Sequence, residues 1–111
     1  MEKDSTKAVR WYQQAAAQNH ARAMDKLGMH MQNGIGIQKD LTGAFELFKQ
    51  AAEQKHVSAA YHLGNCYERG LGCAIDLHQA SVWFERAALG KRIALEILAK
   101  TTNVIIETNL F

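Results

Sequence analysis

The 111-residue sequence contains no proline, the residue that most readily interrupts a helix. It has two cysteines, too few for the disulfide framework of a small secreted domain. It has no run of about 18 apolar residues, so no segment is expected to span a membrane. The first residues lack the apolar run of a signal peptide. Together these absences predict a helical protein of the cytoplasm or another intracellular compartment.

The charge of the chain is close to balanced. Thirteen basic and 11 acidic residues give a formal net charge of +2, without any block of like charges. Because nucleic acids and anionic membranes are bound through clustered basic residues, neither is expected as a partner. Hydrophobic residues form 48% of the chain and charged residues 22%, a composition that favours a folded domain over a disordered segment.

The sequence repeats itself with a period of 36 residues. Three glycines of one copy coincide with three of the next: Gly28 with Gly64, Gly34 with Gly70, and Gly36 with Gly72. An alanine pair recurs in three copies, as Ala15-Ala16, Ala51-Ala52 and Ala87-Ala88. Small residues repeated at one offset indicate one structural unit stacked along the chain, with neighbouring backbones in close approach.

Each copy is predicted to contain two helices joined by a tight turn. Gly34 suits the left-handed residue that ends a helix. Asp40 is placed to cap the helix that follows, and Asp76 holds the same position in the next copy. Ile35 and Ile37 of the turn are expected to point inward. The predicted helices span residues 5–17, 21–33, 41–53, 57–69 and 77–88, with a last helix beginning near residue 92.

This pattern predicts an all-α protein, namely an α/α superhelical solenoid of antiparallel helix hairpins within one domain, residues 1–111. The chain begins and ends inside a repeat. The expected divisions are a half repeat at 4–19, full repeats at 20–55 and 56–91, a partial capping repeat at 92–103 and an apolar tail at 104–111.

The copy from 59 to 88 resembles the Sel1-like repeat. The family pattern is present as Leu63-Gly64, Tyr67, Gly70-Leu71-Gly72, Asp76, Trp83-Phe84 and Ala87-Ala88. The resemblance extends over about residues 4–100. The family usually has a glycine after the alanine pair, where this chain has Asn19 and Lys55, and Gly90 lies one position early. Since lysine tolerates the left-handed conformation less well than asparagine, a different turn is expected at Lys55.

The resemblance implies a right-handed superhelix related to the tetratricopeptide array, in which the first helix of each repeat (the first-type helix) lines a concave face. It implies an adaptor that binds another protein or peptide segment. The sequence has no phosphate-binding glycine loop and no paired carboxylates on one helix face, so catalytic residues, a metal and a cofactor are not expected. Aromatic and cationic side chains often anchor such segments, so Tyr61 and Arg22 are the expected anchors. The tetratricopeptide pattern places these candidate partner-binding residues on the concave face: Arg22, Asp25, Lys26, Met29, Ser58, Tyr61, His62, Asn65 and Arg69.

A metal site or an activated thiol is the first alternative. His62 and Cys66 lie four residues apart on one helix face, and Cys73 and His30 are possible further metal ligands. The spacing of these residues matches no zinc finger, and no third group is evident that would orient a nucleophile.

The second alternative is a fragment of a longer scaffold solenoid that self-associates through its tail. Residues 104–111 are mostly apolar and carry one charge, that of Glu107. Such a tail either covers the exposed end of the core or docks on another copy of the chain.

Overall fold

The computed structural model of the protein describes the backbone of residues 2–110 and the side chains of residues 4–100. It contains five helices: α1 (Glu2–Ala17), α2 (Ala21–Asn33), α3 (Leu41–Glu53), α4 (Val57–Arg69) and α5 (Leu77–Leu110). Each helix packs against the next one in sequence, and α2 also reaches α4. The described chain forms no strand. The predicted all-α helical repeat fold is therefore confirmed.

The helix ends follow from local sequence. Gly34 ends α2 with φ +66°, and its N–H donates to a carbonyl in the last turn of that helix. The Asp40 carboxylate accepts a hydrogen bond of 2.9 Å from the N–H of Gly43. Asp76 accepts one of 3.1 Å from the N–H of Gln79. These bonds satisfy groups that a helix terminus leaves without an intrahelical partner, so the helix boundaries are encoded within each repeat.

Two predictions about the turns are wrong. Lys55 adopts φ +67°, matching the φ +66° of Asn19 at the equivalent position, so the two turns have the same conformation. The surrounding hairpin holds Lys55 there, although the left-handed region costs a non-glycine residue about 1–2 kcal/mol. Ile35 is 48% exposed, and only Ile37 is partly buried. The N–H of Ile35 closes the turn by donating to the His30 carbonyl, and its side chain lies at the surface.

The helix predicted to begin near residue 92 does not form separately, because α5 continues to Leu110. Gly90 stays within α5, where a Cβ would lie 2.5 Å from Cγ2 of Val57 on α4. One glycine costs a helix about 1 kcal/mol, and the residues around it are good helix formers, so local propensity favours continuation over a turn.

The predicted apolar tail at 104–111 falls outside the described side chains. None of the helices built from the described residues has the length and apolar character required to cross a membrane.

The core repeats one contact between a glycine and an aromatic ring. Phe48 is fully buried against Gly28, where a Cβ would lie 2.7 Å from the ring. Phe84 lies against Gly64 in the next repeat, with a corresponding distance of 2.6 Å. A larger residue at either glycine would push the ring away, so the glycines permit close packing of the two helices of each hairpin.

Candidate functional site

A groove of about 690 Å³ opens between α4 and α5. Five of the nine predicted partner-binding residues line it, namely Ser58, Tyr61, His62, Asn65 and Arg69. The other lining residues are Val57, Glu68, Phe84, Ala87, Ala88 and Lys91. The structure therefore brings together all the candidates that lie on α4 and adds residues from α5.

The groove has an apolar floor and a polar edge. We define the groove floor as Tyr61, Phe84, Ala87 and Ala88. Tyr61 is 53% exposed, and its ring centroid lies 5.7 Å from that of Phe84. The edge carries a hydroxyl, an amide and a guanidinium from Ser58, Asn65 and Arg69. An apolar strip flanked by polar groups is suited to an amphipathic helix or an extended segment.

The groove floor corresponds to a layer that is buried one repeat earlier. The residues 36 positions before it are Asp25, Phe48, Ala51 and Ala52, which are 2%, 0%, 0% and 4% exposed. There α4 packs across α2 and α3. The floor is thus the surface onto which a further first-type helix would stack, since each repeat buries its apolar face only against a neighbour.

Asp25 does not face an accessible groove, which corrects its place among the candidate residues. Its carboxylate is 2% exposed. Nδ1–H of His62 donates to Oδ1 at 2.7 Å, and Nε2 of His56 lies 3.5 Å from Oδ2. A buried carboxylate requires partners of this kind, because it has lost its water. Asp25 therefore links two repeats and is unavailable to a partner.

The other candidates on α2 lie apart from the α4–α5 groove. Arg22 and Lys26 line a smaller cleft of about 360 Å³ between α1 and α2. Met29 is half-buried and packs on the core. Trp11, which is 72% exposed, joins Arg22 and Lys26 in this cleft.

Sequence reasoning missed Trp11 and Phe84 as surface-forming residues, because the transferred tetratricopeptide positions cover first-type helices only. The aromatic residues that recur in each second helix were the available signal, but repetition alone indicates core packing. Phe84 forms part of an open groove because the described chain places no further helix over it.

Cys66 and His62 do not form a reactive pair. Cys66 is fully buried, and burial, followed by the nearby Cys73, raises the pKa of its thiol to about 12. The thiol is therefore protonated at neutral pH, whereas the thiolate is the reactive form. Its sulfur lies 4.0 Å from Nε2 of Gln32, and His62 is engaged with Asp25. Within the described part of the chain, no group of three or more His, Cys, Asp or Glu side chains is placed to hold a metal ion.

A family model, the Sel1 repeat, matches residues 1–20, 21–56 and 57–91. A solved structure of a Sel1 repeat protein from Oxalobacter formigenes is 35% identical, with a TM-score of 0.75, over 79% of this chain and 36% of that chain. The structure of c5321, a protective antigen present in uropathogenic Escherichia coli strains and displaying an SLR fold, is 32% identical, with a TM-score of 0.73. That match covers 75% of this chain and 18% of c5321.

The chain therefore spans about a third of the length of the Oxalobacter formigenes protein and less than a fifth of the length of c5321. No curated protein shows a significant match to it.

Proposed function

This chain belongs to the Sel1 repeat family, and on that premise we propose that it is a non-catalytic adaptor module that binds a partner protein segment on its concave face. Repeats of this family generally mediate protein–protein interactions. The α4–α5 groove carries the proposal, because five candidate residues converge there beside an open apolar floor. The proposed partner-binding residues are Arg22, Lys26, Met29, Ser58, Tyr61, His62, Asn65 and Arg69.

The chemistry of the groove favours a particular kind of segment. Tyr61 and Phe84 offer aromatic surface to an apolar side chain. Arg69 and Lys91 carry positive charge at the edge, against the single negative charge of Glu68. We therefore expect an amphipathic segment with at least one carboxylate on its polar side, since opposite charges at an interface rim favour the correct partner and speed association.

Selection from a displayed peptide library tests the proposal even while the natural partner is unidentified. Peptides selected on the full chain are measured by fluorescence anisotropy against the wild type and a Tyr61→Ala, Asn65→Ala variant, because both of these residues line the groove. We expect binding to the variant to weaken at least about tenfold, a loss of about 1.4 kcal/mol, because truncating an aromatic anchor removes a large share of binding energy.

The matched control replaces two exposed residues on α3, Lys49→Ala and Glu53→Ala, and is expected to bind like the wild type. Circular dichroism verifies equal helicity in the three proteins. Selected peptides that bind all three equally would place the binding surface elsewhere and contradict the proposal.

A second candidate is that the chain is one stretch of a longer scaffold. The short span of the chain within its structural neighbours favours it, as does a groove floor that matches an internal stacking surface.

Cys66 and Cys73 are both free thiols, which fits a reducing intracellular compartment, and we place the proposed activity there.

A further inference from the structure

Beyond Gly90, α5 carries the residue pattern of a first-type helix in a register one residue short of the repeat. At an offset of 35, Ala94, Leu95, Leu98 and Ala99 align with Ala59, Ala60, Leu63 and Gly64, all of which are buried in α4. The aligned residues of α2 are also buried: Ala23, Met24, Leu27 and Gly28. At an offset of 36, Glu96 and Lys100 would instead fall on buried positions. The offset of 35 therefore places apolar and small residues at the buried positions, whereas the offset of 36 places charged residues there.

In the structure this pattern is on the surface. Residues 91–100, which we call the α5 extension, are all exposed. Ile93 is 47% exposed and Leu95 is 65% exposed. Exposed apolar side chains grouped on one segment commonly mark an interaction surface. The chain thus presents both an open stacking surface, the groove floor, and an exposed segment with the pattern of a helix that stacks there.

We propose that the groove floor of one copy binds the α5 extension of a second copy, in the place of the next first-type helix. The exchange is reciprocal and produces a two-fold symmetric dimer. This inference names the occupant of the groove described above and so rests on the proposed function.

The hairpin formed by α3 and α4 shows the geometry of the contact. The two helices run antiparallel, and the ring of Phe48 lies 5.0 Å from that of His62, on opposite sides of the turn at Lys55. Phe48 corresponds to Phe84 at an offset of 36, and His62 corresponds to Ile97 at an offset of 35. In the dimer, Phe84 of one copy therefore lies against Ile97 of the other, on opposite sides of Gly90.

An antiparallel pair of this kind is self-complementary. The α5 extension of each copy lies along the first half of the other α5, so a two-fold axis near Gly90 fills both grooves at once. Such an isologous contact uses the same surface on both copies and closes on itself. Arg92, Glu96 and Lys100 recur at four-residue steps and lie on the positions of Val57, Tyr61 and Asn65, outside the buried set.

A second copy suits this groove better than a fold-back of the same chain. Folding back requires α5 to break at Gly90, where the helix packs closely against Val57. The break would also disrupt several backbone hydrogen bonds of α5. Exchange between two copies leaves α5 continuous, as the structure has it.

A pair of introduced cysteines distinguishes the two arrangements. Ala88→Cys and Ala94→Cys are combined in a full chain that also carries Cys66→Ala and Cys73→Ala. The corresponding residues of the α3–α4 hairpin are Ala52 and Ala59, both buried in its core. Within one continuous helix the two sites lie about 9 Å apart, beyond the reach of a disulfide. Mild oxidation is expected to produce a covalent dimer.

The control pair, Leu77→Cys with Ala94→Cys in the same background, is expected to remain largely monomeric, because Leu77 lies at the far end of α5. A monomer with an internal disulfide between positions 88 and 94 would show fold-back and overturn the proposal. Failure of this pair to cross-link above the control would overturn it as well.

The mass in solution gives an independent test. Light scattering of the unmodified chain is expected to approach twice the 12.4 kDa chain mass as concentration rises. Leu95→Asp is expected to remain monomeric. The matched control is Leu77→Asp, because Leu77 is 66% exposed and Leu95 65% exposed on the same helix. The control is expected to dimerise like the wild type.

A wild-type chain that is monomeric up to its solubility limit would overturn the dimer, as would dimerisation unaffected by Leu95→Asp. Groove-binding peptides found together with a monomer would leave the proposed function intact. A dimer lost in Leu95→Asp, together with peptides that are selected on this monomeric variant and still bind away from the groove, would contradict the partner-binding proposal alone.

Discussion

Asp25 on α2 accepts a hydrogen bond of 2.7 Å from Nδ1–H of His62 on α4, so a buried carboxylate joins the first-type helices of two successive repeats. The contact is not repeated along the solenoid, because Tyr61 and Lys26 occupy the equivalent positions. It therefore belongs to one junction, where Nε2 of His56 also lies 3.5 Å from Oδ2 of Asp25.

Removing His62 should destabilise the fold strongly. His62→Ala leaves the Asp25 carboxylate buried with only His56 nearby, at 3.5 Å, and breaking one side of a buried charged contact costs about 3–5 kcal/mol. Asp25→Asn keeps an acceptor for His62 and is expected to cost about 1–3 kcal/mol. Urea unfolding followed by circular dichroism measures both. The exposed His78→Ala is the control, and a His62→Ala loss no larger than that of the control would show that the contact contributes nothing.

Alanine should be tolerated less well at Gly28 than at Gly64. The two sites face equivalent rings at similar distances, 2.7 Å and 2.6 Å from an added Cβ. Phe48 is fully buried and cannot move away from Gly28. In the monomer, at low protein concentration, Phe84 lines the open groove and can shift from Gly64. We expect Gly28→Ala to lower the free energy of unfolding by about 1–3 kcal/mol, as overpacking does. Equal losses at the two sites would show that the open groove gives Phe84 no freedom.

Lys55→Gly should stabilise the protein. Lys55 has φ +67°, a conformation that costs a residue with a Cβ about 1–2 kcal/mol and costs glycine almost nothing. Glycine also increases the freedom of the unfolded chain, so the expected net gain is about 1 kcal/mol. Asn19→Gly is the matched comparison at φ +66°, with a smaller expected gain because asparagine tolerates this region. Thermal unfolding that ranks the two substitutions in the opposite order would contradict the explanation.

The Cys66 thiol should be unreactive while the protein is folded. A pKa of about 12, against an ordinary value of 9.0, lowers its thiolate fraction at pH 8 by about a thousandfold, and the side chain is fully buried. A chromogenic thiol reagent is therefore expected to modify Cys73 first and Cys66 only as the protein unfolds. Rapid modification of both thiols in the folded protein would contradict the burial of Cys66.

The same pKa makes the stability of the fold depend on pH. The thiol is protonated in the folded chain up to about pH 12 and ionises in the unfolded chain above pH 9.0. Its contribution is thus complete below pH 9.0 and decreases as the pH rises towards 12. The difference in unfolding free energy between the wild type and Cys66→Ala is expected to shrink over this range.

The positions of the internal helices were predictable because their limits are set by neighbouring residues. The predicted spans 21–33, 41–53 and 57–69 agree with α2, α3 and α4. Gly34 and Asp40 act within a few residues of themselves through backbone conformation and a single hydrogen bond, so their effect can be derived from sequence alone.

The end of α5 was not predictable in this way. Gly90 can either continue a helix or begin a turn, and these outcomes differ locally by about 1 kcal/mol. Lysine is less favourable than glycine in the left-handed conformation of the turn, yet Lys55 adopts it because α4 packs back onto α3 there. Packing between helices therefore overrides local preference at Lys55. At Gly90 the helix continues as local propensity favours, and residues 91–100 beyond it are exposed.

The repeat, the all-α class and the limits of α2, α3 and α4 were predictable from the sequence, since they follow from short-range patterns repeated at a fixed offset. The transferred tetratricopeptide pattern supplied five of the seven residues that α4 contributes to the groove and missed Val57 and Glu68. Which of the candidate residues stay accessible depends on how the repeats pack against one another. Asp25 and Tyr61 hold equivalent positions, yet the first is covered by α4 and bonded to His62, and the second is 53% exposed. The reason is that burial depends on whether a neighbouring repeat stacks on the residue, and this is a property of the assembled solenoid.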